Sequence, residues 1–378
     1  MLCGGQLALM IPLRILVVGQ TPPPYGGQTV MIQLLLDGAY QDIELVNVRM
    51  NFSKELNSNG RLKLDKIWEL FRVVAAIYRA KFIMRPEVLY YPPSGPNYVP
   101  VIRDIIILCA TRRLFNKTVF HLHAGGISEF YLRMNPALRC IFRLALFNPD
   151  LVIRTACLSA QDGKGLHCQR EVVIANGIPD SAGKRIDRTA SSGEPIRILL
   201  VALLREDKGV LVAISAVQQL LIAGMDVELT CMGEWDSPDM RTHAESLIEP
   251  RFRSKFRFPG VQTGFDKWDF YRNADIFVFP SYFHSETFGI VLLEAMCFSL
   301  PVVATRWRGI PEVVEESSCA ILCEPRDIAG CRDALAQLIN DPALRVRMGR
   351  NARERYLRYF TIEAHRNAME NALSLLKG

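Results

Sequence analysis

Residues 275–305 read DIFVFPSYFHSETFGIVLLEAMCFSLPVVAT, and this stretch predicts a strand, a loop, a helix and a second strand. The two strand segments, 275–279 and 301–305, are short apolar runs rich in Val, Ile and Phe. Between them, the apolar positions 290, 292, 293 and 296 fit a helix packed on a sheet, and we expect that helix to begin near Phe288. The stretch is therefore one unit of an alternating α/β fold.

The same alternation of strand and helix patterns runs through the whole chain. It predicts two Rossmann-like, doubly wound parallel-sheet domains that face a cleft, over residues 1–179 and 196–355, joined by an exposed linker at 180–195. A long basic helix is expected around Pro342–Leu376. The predicted strands are Ile15–Gly19, Ile43–Val48, Val88–Tyr91, Thr118–His123, Leu151–Thr155, Val172–Ala175, Ile196–Leu204, Asp226–Met232, Phe256–Pro259, Asp275–Phe279 and Pro301–Thr305.

The composition is that of a soluble globular enzyme. A chain of 378 residues with 49% hydrophobic and 22% charged residues is long enough for two full cores. No apolar run reaches the roughly 18 residues that cross a bilayer, and we interpret 1–13 as a short tail before the first strand, not a signal peptide. Ten cysteines without a Cys-x-x-Cys pair indicate reduced thiols and a cytoplasmic protein.

Positive charge is concentrated in the first half of the chain. Residues 1–175 carry 20 Lys and Arg against 12 Asp and Glu, whereas the remainder carries 25 against 27. A basic first half favours an anionic acceptor, an anionic membrane surface, or both. The basic, apolar segment around Trp68–Arg85 fits either a core-packing helix with a solvated outer face or an amphipathic helix at a membrane. Its aromatic residues do not interleave with the basic ones as a nucleic-acid stacking platform would, so no nucleic-acid partner is expected.

Two glutamates, Glu286 and Glu294, lie eight residues apart around Gly289. A helix N-terminus presents free N–H groups and a partial positive charge, which suits phosphate. Glu286 would lie on the loop ahead of this helix and Glu294 nearly two turns into it, where each could accept hydrogen bonds from sugar hydroxyls. The alternative is two solvated surface glutamates and an ordinary turn glycine. The backbone groups that would bind the phosphates belong to Thr287, Phe288, Gly289 and Ile290.

Other candidate residues follow predicted strands, where ligands bind in open α/β sheets. Gly26 and Gly27 follow the first strand and would let the backbone approach a diphosphate or sugar closely. Arg205 and Lys208 follow the strand that starts at Ile196 and could neutralise a departing diphosphate. Because the sequence has no Asp-x-Asp metal motif, we expect the protein to supply these cations, with no metal and no cofactor.

Two further candidates are His123 and Gly233. The strand Thr118–His123 places His121 and His123 on one side, His121 deeper as a core residue and His123 at the strand end. With no third or fourth ligand in view, the pair does not form a zinc site. Gly233 forms a turn after the strand that ends at Met232.

Residues 258–327, with Glu286-x7-Glu294 and the turn Gly309-Ile310-Pro311-Glu312, resemble the nucleotide-sugar half of the retaining GT-B glycosyltransferases of the Glu-x7-Glu type. The resemblance implies that Gly26-Gly27 faces the donor diphosphate, that His123 contacts the transferred sugar and that Gly233 lines the nucleoside pocket. It also implies that a C-terminal helix, 356–378, crosses back to the first domain. The chain departs from the family at Ala202-Leu203, where Gly-Arg is usual, and lacks the second glycine after Gly233.

These features together predict a retaining, metal-independent transferase that moves a sugar from a nucleoside-diphosphate sugar to an acceptor hydroxyl. The acceptor would be a glycan or a lipid-linked molecule, in cell-surface polysaccharide or glycolipid synthesis at the cytoplasmic face of a membrane. Three alternatives stay open: a glycosidase that uses the two glutamates as acid and base, a nucleotide-sugar epimerase of the same architecture, and an inactive partner subunit.

Overall fold

The computed structural model describes residues 12–23, 25–52, 64–183 and 194–377, and the chain divides into two compact units. The first unit comprises residues 1–154, 161–174 and 366–378, and the second comprises 155–160 and 175–365. Most of the predicted N-terminal tail and most of the predicted linker lie outside the described residues.

The first unit contains a parallel six-stranded sheet with the order β2-β1-β3-β4-β5-β6. The strand order reverses between β1 and β3, the position at which ligands bind in doubly wound folds. The six strands are β1 (Leu13–Gly19), β2 (Ile43–Arg49), β3 (Val88–Tyr91), β4 (Lys117–Leu122), β5 (Leu151–Arg154) and β6 (Arg170–Val173).

Helices cover both faces of this sheet because successive strand residues point to opposite sides. Leu16 and Val18 pack with the helices of residues 64–84, 98–111 and 136–146 on one face, while Ile15 and Val17 pack with those of residues 27–36 and 362–374 on the other. The helices of this unit are α1 (Gly27–Leu36), α2 (Leu64–Met84), α3 (Tyr98–Thr111), α4 (Ile127–Tyr131), α5 (Pro136–Leu146) and α6 (Asp162–Gly165).

The second unit contains another parallel six-stranded sheet, with the order β12-β11-β10-β7-β8-β9. Here the strand order reverses between β7 and β10. The strands are β7 (Ile196–Val201), β8 (Val227–Met232), β9 (Phe256–Gly260), β10 (Ile276–Phe279), β11 (Val302–Thr305) and β12 (Ala320–Cys323). The sequence did not predict β12.

The helices of the second unit again lie on both faces of its sheet. Ile198 and Leu200 face α7 and α12, whereas Leu199 faces the side on which α10 and α13 pack. The helices are α7 (Val210–Ile222), α8 (Pro238–Ser246), α9 (Gly264–Asn273), α10 (Ile290–Cys297), α11 (Ile310–Val314), α12 (Ile328–Asn340), α13 (Pro342–Tyr359) and α14 (Ile362–Ser374), whose residues from 366 onward belong to the first unit. The predicted α/β class with two doubly wound parallel sheets is confirmed.

Three sequence predictions are wrong in detail. The single long helix expected over Pro342–Leu376, and hence the helix expected to start at 356, is instead two helices, α13 and α14. They separate at Thr361 because its hydroxyl accepts the N–H of Ala364, as an N-terminal cap does. The helix expected from Phe288 begins at Ile290. Predicted strand ends also differ: β7, for example, stops at Val201 and not at Leu204.

None of the described helices combines the length and the hydropathy that crossing a bilayer requires.

A buried arginine of α13 holds the chain segment that enters the second unit. Arg353 makes two hydrogen bonds to the Asp180 carboxylate, 2.8 and 2.6 Å long, and one to the Cys297 carbonyl at 3.0 Å. Burial alone would raise the pKa of Asp180, but the hydrogen bonds from Arg353 lower it below its usual range. This lowered pKa means that Asp180 contributes stability above its unfolded-state pKa of about 3.9 and loses that contribution at lower pH.

We predict that Arg353→Met lowers the free energy of unfolding by about 2–3 kcal/mol, because Asp180 and the Cys297 carbonyl lose their partner. Urea unfolding at neutral pH measures this loss, and the difference from wild type should shrink as the pH falls below about 4. The matched control is Arg350→Met, an exposed position on the same helix, which should change stability by less than about 0.5 kcal/mol. Equal stabilities of the two variants would contradict the prediction.

Candidate functional site

An ion pair between Lys208 and Glu286 lies where the strand order of the second sheet reverses. Lys208 follows β7 and Glu286 follows β10, and these strands are neighbours. The Lys208 Nζ atom is 2.7 Å from Oε2 of Glu286, and the Ser281 hydroxyl donates to the same oxygen at 3.2 Å. The two side chains are only 18% and 9% exposed. The structure thus brings together two residues that are 78 positions apart in the sequence.

A glycine allows this pair to form. Gly209 has φ of +79°, and a Cβ there would lie 2.2 Å from the carbonyl oxygen of Pro280. The turn after β7 can therefore lie directly against the end of β10 only with glycine at this position. The N–H of Tyr282 also donates to the Asp207 carbonyl at 2.8 Å, which fixes the turn and the loop to each other.

The loop that carries Glu286 is fixed from its other side by the last residue of β11 and by residues that follow this strand. The Trp307 ring N–H donates to the Phe283 carbonyl at 2.8 Å, and the Thr305 hydroxyl donates to the carbonyl of Ser281. Gly309 lies against the Thr287 carbonyl so closely that a Cβ would be 1.9 Å from its oxygen. The loop conformation is therefore set by the protein itself before any ligand binds.

Helix α10 begins directly after this loop. Its cap residue is Gly289, with φ of +80°, a conformation that favours glycine. Thr287 and Phe288 precede it and are buried, and Ile290 is the first helical residue. The Leu292 N–H donates to the Gly289 carbonyl at 2.9 Å, and the earlier N–H groups of such a helix have no partner within the helix, so this end of α10 can bind an anion.

Glu294 is held in α10 by two residues of α9. Its Oε1 atom is 2.5 Å from the Lys267 Nζ atom, and its Oε2 atom accepts the Tyr271 hydroxyl at 2.6 Å. Burial, together with the charge of Glu294, raises the pKa of Tyr271 well above its usual value, so the phenol keeps its proton and donates it in this hydrogen bond. Glu294 is therefore an oriented carboxylate, only 7% exposed.

Arg205 lies on the same turn as Lys208 but pairs with a neighbour. Its guanidinium makes two contacts with Asp207, 2.6 and 2.9 Å long, and lies 5.2 Å from the centre of the Phe283 ring. Its side chain is 33% exposed. The guanidinium therefore lies beside the loop that carries Glu286, with its charge offset by Asp207.

Gly233 is required by the fold at the end of β8. It has φ of +147°, and a Cβ would lie 1.8 Å from the backbone oxygen of Ala202. Its N–H donates to the Gly260 carbonyl at 3.0 Å. The ends of β7, β8 and β9 therefore meet at this glycine. The packing of the fold alone explains why position 233 is a glycine, whether or not a ligand binds there.

In the first unit, Gly26 and Gly27 start α1 after β1. Gly26 caps the helix in an extended conformation, with its N–H 2.9 Å from the Thr29 hydroxyl. A Cβ on Gly26 would meet nothing closer than 3.9 Å, so the fold itself tolerates a larger residue there. This contrasts with Gly209 and Gly233, and it leaves room beside Gly26 for the close approach of a ligand.

His123 directly follows β4, and its ring centre is 4.0 Å from that of His121, so the two rings share one side of the strand. His121 is buried and hydrogen-bonds through Nδ1 to the Tyr90 hydroxyl, as expected of a core residue. His123 is half-buried. The loop after it is fixed by buried Asp162, which accepts the N–H groups of Gly126 and Ser128 at 2.8 Å each.

Several residues at these positions were not found from the sequence. Lys267 and Tyr271 are one helical turn apart, a spacing that indicates a shared face but not a partner in α10. Trp307 and Asp162 carry no local signal for their hydrogen bonds. Among the described residues, no three His, Cys, Asp or Glu side chains cluster as metal ligands would.

Residues 183–355 match the family model of the glycosyl transferases group 1. This match covers less than half of the chain, and it confirms the resemblance drawn from the Glu-x7-Glu motif. Glycogen synthase of Mycobacterium tuberculosis is 33% identical over 183 residues, 48% of this chain and 43% of that protein. D-inositol 3-phosphate glycosyltransferase of Corynebacterium efficiens is 34% identical over 169 residues, 43% of this chain and 39% of that protein. The chain therefore spans less than half the length of these relatives.

Solved structures share the fold over nearly the whole chain. Sucrose-phosphate synthase from Thermosynechococcus elongatus superposes with a TM-score of 0.73 at 18% identity, covering 96% of this chain and 98% of that one. Anabaena HepE in complex with UDP and glucose superposes with a TM-score of 0.71 at 19% identity, covering 96% and 100%. At these identities the likeness establishes the fold.

We predict that Gly233→Ala destabilises the second unit by more than about 3 kcal/mol or prevents folding, because its Cβ would overlap the Ala202 backbone. The matched control is Gly224→Ala, which also has a positive φ, +84°, but no atom within 4 Å of its Cβ. That control should cost only about 1 kcal/mol. Thermal unfolding of both variants measures the difference. Equal melting points would contradict the conclusion that the Ala202 backbone leaves no space for a Cβ at position 233.

Proposed function

We propose that the chain is a retaining glycosyltransferase that moves a sugar from a nucleoside-diphosphate sugar to an acceptor hydroxyl. The observation that carries this proposal is the Lys208–Glu286 pair beside the N-terminus of α10. A half-buried cation, a buried carboxylate and a set of helix N–H groups together suit a ligand that has both phosphates and hydroxyls. The match of residues 183–355 to the glycosyl transferases group 1 supports the same reaction class.

Each part of the donor has a proposed partner in the second unit. The backbone groups of Thr287, Phe288, Gly289 and Ile290 bind the phosphates. Glu294, oriented by Lys267 and Tyr271, accepts hydrogen bonds from the ribose hydroxyls. Glu286 accepts hydrogen bonds from the donor sugar, and Gly233 borders the nucleoside. In the first unit, Gly26 and Gly27 would contact the diphosphate and His123 a hydroxyl of the transferred sugar.

In the proposed reaction the bond between the anomeric carbon and the diphosphate oxygen breaks, and its electron pair goes to that oxygen. The acceptor oxygen bonds to the anomeric carbon on the same face, and its proton passes to the departing diphosphate. Lys208 and Arg205 stabilise the negative charge that develops on the leaving group, and stabilisation of this kind accounts for much of the rate enhancement in many enzymes. Because these cations are side chains, we propose that the reaction needs neither a metal nor a cofactor.

The acceptor is proposed to be a glycan or a lipid-linked molecule, and the basic first unit is proposed to bind it at the cytoplasmic face of a membrane. The names of two relatives support this setting. A putative colanic acid biosynthesis glycosyltransferase of Salmonella typhimurium is 26% identical over 71% of this chain. A capsular polysaccharide biosynthesis glycosyltransferase of Staphylococcus aureus is 28% identical over 41%. Cell-surface polysaccharide or glycolipid synthesis is therefore the proposed process.

We predict that a nucleoside diphosphate raises the melting temperature of the wild-type protein, because a ligand that binds only the folded form stabilises it. UDP, GDP and ADP are the probes. Glu294→Gln should weaken the binding of the effective diphosphate about tenfold, since a neutral amide is a poorer acceptor for ribose hydroxyls.

The matched control for that measurement is Glu228→Gln, a partly buried glutamate of the same unit that pairs with Lys255 at 3.7 Å. It should bind the diphosphate as the wild type does. If no diphosphate stabilises the wild-type protein, the proposed function is wrong.

We predict that Glu286→Gln and Lys208→Met each lower sugar transfer about 100-fold or more, because each removes one half of the pair that contacts the donor. Release of nucleoside diphosphate from a panel of nucleotide sugars, with and without glycan acceptors, gives the rate. NMR of the product gives the anomeric configuration. The control is Lys255→Met, whose 2.7 Å partner is Asp226.

The outcomes of this assay separate the alternatives. An inverted product would contradict the proposed stereochemistry. Donor conversion without an acceptor would identify an epimerase. Diphosphate binding without turnover of any donor would favour an inactive partner subunit.

A further inference from the structure

Helix α2 has two apolar faces, and the described residues cover only one of them. Val73 and Ile77 are buried in the core of the first unit, 1% and 0% exposed. On the other side, Trp68, Phe71 and Phe82 are 73%, 65% and 71% exposed. The sequence left open whether this helix has a solvated outer face. The structure shows that its outer face carries exposed aromatic side chains beside its charged ones.

The neighbouring helices extend this apolar surface. Helices α2, α3 and α5 pack on the same side of the first sheet, and the Tyr78 hydroxyl of α2 donates to the Ala110 carbonyl of α3 at 2.9 Å. Each of the other two helices also presents exposed aliphatic residues outward. We call the resulting surface the three-helix face, defined by Trp68, Phe71, Phe82, Ile102, Ile106 and Leu144, each more than 40% exposed.

The three-helix face is also positively charged. Helices α2, α3 and α5 contain seven Lys and Arg but three Asp and Glu. Asp104 is fully buried, and Glu69 is bonded to Arg72. Exposed Arg79 of α2 and exposed Arg143 of α5 add positive charge to this layer, whereas the charge of Arg72 is offset by its ion pair with Glu69. A ligand for this face must therefore be both apolar and anionic.

We propose that the three-helix face docks on an anionic lipid membrane. The stripe from Trp68 to Phe82 covers about 21 Å of helix. A helix that lies in the membrane interface has this arrangement, with aromatic side chains in the acyl boundary and arginines at the phosphates. A protein partner is less well matched, because interface cores are usually depleted of charge. Exposed apolar patches of this kind usually mark an interaction site.

This inference does not rest on the proposed transfer reaction, because it uses only the exposed residues and the charge of the first unit. Membrane binding can be measured without a donor or an acceptor. Failure of the docking test would therefore leave the diphosphate-binding test unaffected, and the converse also holds.

The test is vesicle flotation of the full chain. Vesicles of phosphatidylcholine with phosphatidylglycerol should carry the protein to the top of the gradient, and vesicles of phosphatidylcholine alone should carry much less. High salt should weaken the binding, since screening reduces the attraction between arginines and lipid phosphates. Equal binding to both vesicles, or none to either, would overturn the proposal.

Two sets of variants identify the surface. Trp68→Ser, Phe71→Ser and Phe82→Ser in one chain should weaken binding roughly tenfold or more. The matched control is Val261→Ser with Phe265→Ser, which are 57% and 87% exposed in the second unit and should bind as the wild type does. Arg79→Gln with Arg143→Gln should lower the preference for anionic vesicles, whereas exposed Arg347→Gln with Arg350→Gln should not.

Unchanged binding of the Trp68 variant, or equal losses in both sets, would overturn the assignment of this face. Circular dichroism checks that the variants remain folded, as expected for exposed positions. Analytical ultracentrifugation without vesicles tests whether the three-helix face binds a second copy of the chain. A concentration-dependent dimer that the triple serine variant abolishes would assign the face to a second copy of the chain, in place of the membrane.

Discussion

The candidate site of the second unit depends on the ion pair between Lys208 and Glu286, because this contact joins two strand ends that the reversal of strand order leaves side by side. Helices of parallel sheets diverge at such a point and leave a crevice. Gly209 lets the turn after β7 approach β10, and the pair then fixes both loops. Buried ion pairs add little net stability, since desolvating the charges offsets their attraction. We therefore interpret this one as retained for its chemistry.

The surrounding residues hold both glutamates in place without any ligand. Lys267 and Tyr271 fix Glu294, and Trp307 and Thr305 fix the loop that carries Glu286. Each glutamate therefore has a lysine within 2.7 Å. Preorganised groups of this kind need no rearrangement when charge develops in a reaction, which is the physical basis of electrostatic catalysis. Glu286 precedes the start of α10, whereas Glu294 lies in its second turn.

The first unit combines two different surfaces. Its strand ends carry Gly26, Gly27 and His123, whereas its layer of α2, α3 and α5 carries the three-helix face. Gly26 is not required by the packing of the fold, in contrast to Gly209. A lipid-linked acceptor would connect the proposed sugar transfer with the proposed membrane docking. An enzyme that docks on lipid meets such an acceptor in the membrane plane and not by diffusion through solution.

The sequence by itself determined the fold class, the candidate residues around α10 and every strand except β12. Hydrophobic periodicity and turn-forming residues are local properties, so they can be read without the tertiary structure. It misjudged the break at Thr361 and the start of α10, where single hydrogen bonds and cap geometry decide the boundary. Only the tertiary structure decided that Lys208 meets Glu286, that Lys267 and Tyr271 hold Glu294, and that the outer face of α2 carries exposed aromatic side chains. Those contacts join residues far apart in the chain, and a helix with two apolar faces does not show in its sequence which face is covered.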